Sequence, residues 1–143
     1  MDNVQTGNFD QDIQRYPELV NWVVGYARPD DSPLHTNNVY VKWVRLKKGH
    51  QKATPTLVKT ANTLGVLISG KIAQHFPGKK KTIILKKMGD YIFFGPNTRH
   101  SWEALEDCVI ITVRWPAQKK QKLTKIDKYD TINLGKQKPQ QNK

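Results

Sequence analysis

From residue 39 onward the chain reads as short apolar runs, at residues 39–46, 64–68, 72–76, 82–85, 91–94 and 109–115. Runs of this length suit strands rather than helices, which need longer periodic stretches. Between them stand Lys48-Gly49, Ser69-Gly70, Pro77-Gly78, Met88-Gly89-Asp90 and Gly95-Pro96-Asn97. Glycine and asparagine tolerate the left-handed backbone of tight turns and proline fixes φ, so each separator tells the chain to reverse. Six or more short strands at this spacing predict an all-β domain, a small antiparallel barrel or jelly roll. Within 109–115, Val109, Ile111, Val113 and Trp115 share one face, which reads as the core face. Ile110, Thr112 and Arg114 share the other, which is expected to meet solvent or a partner.

The N-terminal part is less regular. Residues 17–24 can open a short helix at Pro17 or lead into a strand at Trp22, and we favour a strand over 22–26. Arg28-Pro29-Asp30-Asp31-Ser32-Pro33 is a loop by its local chemistry. The expected organisation is an N-terminal extension, partly strand, over 1–38, a barrel core over 39–116 and a basic tail over 117–143.

Charge sharpens that division. The net charge is +12, and residues 117–143 carry eight lysines against Asp127 and Asp130, a net of +6. A segment rich in Lys and Gln and poor in apolar periodicity has little to bury, so disorder is expected from Lys136 onward. Lys79, Lys80, Lys81, Lys86 and Lys87 flank the fourth apolar run. They read as a solvated, edge-protecting hairpin, with phosphate contact as the competing reading. No zinc-finger spacing or aromatic-rich nucleic-acid signature accompanies them. No apolar run approaches the roughly 20 residues of a membrane-spanning helix. The N-terminus lacks the basic start and apolar run of a secretory signal, and Cys108 is the single cysteine, so a soluble cytoplasmic protein without an intrachain disulfide is expected. Cys108, beside Val109, Ile110 and Ile111, reads as a small buried apolar side chain rather than a nucleophile.

The segment from Gly89 to Glu103 carries a more specific pattern: a glycine, a proline turn at Gly95-Pro96-Asn97, and a histidine, His100, eleven positions after the glycine. It resembles the second conserved motif of the cupin superfamily, with Asn97 in place of a glycine at a left-handed position. The resemblance spans about residues 39–116 and implies a cupin-type jelly-roll barrel. It also implies a metal held by a His-x-His pair, a glutamate and the histidine of the second motif. Counted back from Gly70, the glutamate position falls on Thr63, and the histidine pair on Thr56 and Val58 or on Leu57 and Lys59. None offers imidazole or carboxylate, so neither metal nor other cofactor is expected. His50 and His75 are the remaining imidazoles to examine should a metal be present.

His100 and Trp102, two positions apart and so on one side of a strand, are the candidate ligand-binding residues of a barrel cavity. The expected function is a cupin-like small-molecule binding or regulatory protein, with a homodimer as its assembly. A cupin enzyme, metal-dependent through other ligands or metal-free, is the first alternative. A basic accessory protein acting on nucleic acid or an acidic partner is the second.

Overall fold

The computed structural model describes residues 4–117. Eight strands form in chain order: β1 (Trp22–Val24), β2 (Tyr40–Leu46), β3 (Asn62–Ser69), β4 (Ile72–Phe76), β5 (Lys81–Leu85), β6 (Tyr91–Phe94), β7 (Ser101–Ala104) and β8 (Cys108–Trp115). They build a five-stranded sheet in the order β1-β2-β8-β3-β6 and a three-stranded sheet in the order β5-β4-β7. Every pairing is antiparallel. The two sheets close over one interior as a jelly roll, as the spaced turn signals predict. All six predicted runs are strands, and β7 is an addition inside the motif around His100. The predicted disorder from Lys136 onward and the tail from residue 118 lie outside the described residues. Among the described residues no helix is long and apolar enough to cross a membrane.

The turns use the residues expected of them. Asn97 sits at φ 63, in the conformation its asparagine was expected to tolerate, and its N–H donates to Val58 O at 2.8 Å. Both N-terminal alternatives are realised: Pro17–Leu19 forms a 3-10 turn, and β1 follows it, pairing with β2 of the same chain. Ahead of them lies a helix the sequence pattern does not announce, α1 (Phe9–Arg15). Asn8 caps it by accepting from Gln11 N–H, and no residue of α1 is buried. Its order comes from distant partners. Asp10 accepts from Trp43 Nε1 and from Arg45 Nε and Nη2, all at 2.8 Å, which pulls its carboxyl down to about 2 through Arg45 first and Trp43 second. Asp12 receives Arg28 Nη2 at 2.7 Å, while Arg28 Nε donates to Val23 O at 2.7 Å, so α1 is tied both to β2 and to β1.

Strand register decides which residues face inward. The interior takes Lys42, Val44 and Leu46 from β2, Thr63, Gly65 and Leu67 from β3, and Cys108, Ile110, Thr112 and Arg114 from β8. This reverses the expected faces of β8. Val109 is buried at the strand's start, but Ile111 and Val113 are only half-buried and Trp115 is exposed, whereas Arg114 is 5% exposed. The apolar face of β8 lies on the outer surface of the large sheet. Two rows cross it, Val41–Val113–Leu64–Phe93 and Trp43–Ile111–Val66–Tyr91, each set by direct cross-strand pairing. Closure of the barrel carries the face of β8 that bears Arg114 inside.

The interior is graded along its length. At one end Val44, Leu46, Leu67, Ile72, Leu85, Ala104, Cys108 and Ile110 pack as a continuous apolar core. Cys108 belongs to it, and burial first and Asp107 second push its thiol up to about 11, as suits a packing residue rather than a nucleophile.

Candidate functional site

Beyond that core the interior opens into a cavity of about 70 Å³. The apolar floor is shared by Val44, Ile72 and Ile110, and Ile92, Phe94 and Trp102 form apolar walls. The polar side is built by Lys42, Lys52, Thr63, Gln74, His100 and Arg114. The change from apolar to polar is written along the strands: Leu46, Val44, then Lys42 on β2, and Cys108, Ile110, Thr112, then Arg114 on β8. Gly65 contributes no side chain at mid-depth, and a Cβ there would stand 3.2 Å from Ile92 Cγ2.

The two residues singled out from the sequence meet at this cavity. His100, 3% exposed, is locked by a two-way backbone pairing with Thr56, at 2.9 and 3.0 Å. Its Nδ1 lies 3.0 Å from Thr98 O, a pure acceptor, so the ring carries a proton on Nδ1. The ring centroid is 4.5 Å from that of Phe94, whose ring in turn meets Phe76 edge-on at 5.4 Å. Trp102 follows on β7 opposite Gln74 of β4, and its carbonyl accepts from Lys52 N–H at 2.9 Å, which draws the 50–56 segment across the barrel end.

Thr63, the residue at the resemblance's glutamate position, does reach the cavity, where its Oγ1 accepts from Arg114 Nε at 3.3 Å. The proposed histidine positions do not supply a ligand set. Thr56 serves His100 through its backbone, Val58 is buried, Leu57 is half-buried and Lys59 is exposed. His50 and His75 lie off the cavity. The half-buried His50 ring has its pKa lowered, by desolvation first and by Lys47 second. His75 Nδ1 is 3.0 Å from Thr82 Oγ1 on the neighbouring strand. Among the described residues no three His, Cys, Asp or Glu side chains gather as a metal site. The side chains sharing the cavity of His100 include Lys42, Lys52 and Arg114.

These three cations are what sequence reasoning missed. The signal was present in two of them: Lys42 and Arg114 occupy alternate positions in strands whose other members on that side include Val44, Leu46 and Ile110. Lys52 left no such signal, since its loop has no period. Lys42 Nζ and the Arg114 guanidinium both lie over the Trp22 ring, at 5.1 and 5.5 Å from its centroid. Trp22 thus links the N-terminal strand to the cavity's cationic wall.

No protein-family model matches the chain, and no curated protein matches it. Solved structures resemble it in fold. A protein from Klebsiella pneumoniae with a double-stranded β-helix domain is 20% identical, over 80% of this chain and 92% of that one, with a TM-score of 0.55. KdgF from Halomonas is 23% identical over 59% of this chain and 74% of its own, with a TM-score of 0.53. A cupin protein from Bacteroides fragilis is 18% identical over 64% of this chain and 77% of that one, with a TM-score of 0.51. The likeness is one of fold: this chain folds as a cupin-type jelly roll.

Proposed function

We propose that this cupin-fold protein binds a small molecule inside its barrel, with His100 and Trp102 in the wall of the binding site and no metal in it. The observation that carries the reading is their convergence on one interior cavity whose floor is apolar and whose other side is polar, the usual composition of a ligand pocket. The residues offer two kinds of contact: an imidazole whose Nδ1–H is held by Thr98 O, and an indole in the cavity wall. A regulatory or carrier role needs nothing more than this.

The test pairs ligand response with elemental analysis. A mixed set of small polar and charged compounds titrated into the untagged protein should include binders that shift the Trp102 indole and His100 ring resonances. His100→Ala and Trp102→Ala should each weaken those binders at least about tenfold, the loss of roughly 1.4 kcal/mol. Iron, zinc, manganese and nickel should each stay far below one equivalent in the parent protein. Near one equivalent of metal, lost on His100→Ala, would instead establish the enzyme alternative, with His50 and His75 the next ligands to examine. Nucleic-acid binding by the exposed Lys79, Lys80 and Lys81 is the other alternative, and it would show as affinity falling steeply with salt.

The assembly we propose is a homodimer through the outer face of the large sheet. Its two cross-strand rows end in Tyr91 and Phe93, 66% and 51% exposed, beside Trp115 at 37%. Apolar side chains this exposed and this contiguous are what an interface covers. Light scattering at micromolar concentration should report twice the chain mass, and Phe93→Asp should return the monomer. A parent protein that is monomeric throughout would remove this proposal.

A further inference from the structure

We infer that residues 49–56 form a releasable strap across the barrel end, closed on β7 while His50 is neutral and freed from it when His50 takes up a proton. That the strap governs a ligand rests on the reading of the barrel as a binding site; its release does not.

The argument starts from how the strap is held. Among the described residues β7 is the last named strand of the small sheet, and residues 49–56 run antiparallel along its open side. Gly49 N–H donates to Ala104 O and Ala104 N–H to His50 O, both at 2.8 Å, and Lys52 N–H to Trp102 O at 2.9 Å. Two isolated bridges, Gln51 with Glu103 and Thr56 with His100, stand where a full strand would form a continuous ladder. Gly49, at φ +91 with open space where a Cβ would stand, supplies a hinge shortly after the end of β2. Alternation sends Gln51 and Ala53 to solvent and turns His50 and Lys52 inward, Lys52 reaching the cavity. A strap that lifts therefore uncovers the cavity beside Trp102.

His50 makes this closure depend on protons. The residue is half-buried, yet both ring nitrogens are out of reach of solvent and neither has a hydrogen-bond partner among the described residues. A neutral imidazole tolerates that position at the cost of its unmet polar atoms. A protonated one adds a second N–H and a full charge with nothing to accept them, which is far less favourable. The charged groups acting on the ring are Lys47, just past β2, which opposes protonation, and Asp107, in the turn before β8, which favours it. Asp107 Oδ1 is engaged by Lys48 N–H at 2.8 Å. On β7 the charged residue is Glu103, which is in register with Gln51 and lies 4.0 Å from His75 Nε2. Burial first and Lys47 second hold the pKa of His50 below its ordinary value. Opening returns the ring to water, where that value is about 6.5. The closed strap is thus fully favoured above about pH 7, and opening rises by up to about tenfold per pH unit as pH falls from 6.5 to the lowered pKa, then levels off.

The test is hydrogen exchange followed by NMR on the full untagged chain, with EDTA present so that no metal competes for the imidazole. Rates are corrected for the intrinsic pH dependence of amide exchange. The amides of Gly49, Lys52 and Ala104 should exchange faster than those of the β3–β8 ladder at every pH, the mark of local opening. Their protection should fall at least about threefold between about pH 7.5 and pH 5.5, and the Trp102 indole signal should move over the same range. His50→Gln, which carries no charge at any pH, should remove the fall. Lys47→Glu, which replaces a charge opposing protonation with one favouring it, should move the fall to higher pH, and it carries the test should His50→Gln fail to fold. Strap amides no faster than the ladder, a fall of the same size in His50→Gln, or one that Lys47→Glu leaves in place would each overturn the inference while leaving the cavity reading standing. Release as described, with no compound of the mixed set bound at any pH, would uphold the strap and remove the cavity reading instead.

Discussion

Gly70→Ala is expected to be the most damaging single-atom-scale change in the barrel, costing about 3 kcal/mol or more. Gly70 turns β3 into β4 at φ +89, where a side chain is already disfavoured by about 1–2 kcal/mol. Its environment adds a second penalty. A Cβ built there would collide with Asp107 O and stand 2.6 Å from Cys108 Cα, and both are backbone atoms at the start of β8 that no side-chain rotation can move aside. The collision would therefore push apart β3 and β8, the central pair of the large sheet. Gly89 supplies the control. It has nearly the same angle, φ +91, but nothing within 4 Å of the same built atom. Gly89→Ala should thus show the dihedral penalty alone, and Gly70→Ala the penalty plus the collision. Urea unfolding of the two variants checks this, and equal losses would mean that the close approach of β8 does not constrain the turn.

The second large effect belongs to Leu67, which is fully buried in the apolar end of the interior. Leu67→Ala should cost about 3 kcal/mol, from lost transfer energy and the cavity left behind. In melting temperature this is roughly 10 °C for a chain of this size. The site of the loss matters as much as its magnitude. Leu67 pairs with Ile110 and packs with Val44, Leu46 and Cys108, whereas Arg114 lies two inward positions beyond Ile110 on β8 and Lys42 one beyond Val44 on β2. Stability should fall while binding to the folded protein stays within about twofold. A melting temperature within a degree or two of the parent would show that this end is loosely packed. Loss of binding out of proportion to unfolding would show that the two ends of the interior are coupled.

A cupin-type barrel with a divalent cation needs neutral imidazoles and a carboxylate turned toward it. Here the position expected for the carboxylate, Thr63, accepts from Arg114 Nε, and Lys42 and Lys52 line the same cavity.

The strands and turns were legible because their causes are local. Glycine and asparagine mark reversals by their own backbone freedom, and runs such as 39–46 and 109–115 alternate with the two-residue period of a strand. His100 and Trp102 were legible for the same reason, standing at fixed spacing behind such a turn. What the local pattern could not reach were features whose causes are far away in the chain. Helix α1 is short and buries no residue, and it is held by Trp43, Arg45 and Arg28, partners between 16 and 35 positions off. Strand β7, Ser101–Ala104, has a weak strand composition and exists because β4 pairs along it. The two faces of β8 were told apart correctly by alternation, but alternation alone carries no sign. Which face turned inward was decided by closure of the two sheets, and closure placed Arg114 inside with Lys42 of the neighbouring strand and with Lys52. Local backbone preference thus determined where the chain extends and turns, while the tertiary structure decided which charges share a cavity, because only packing of the whole domain sets the distances on which their electrostatics depend.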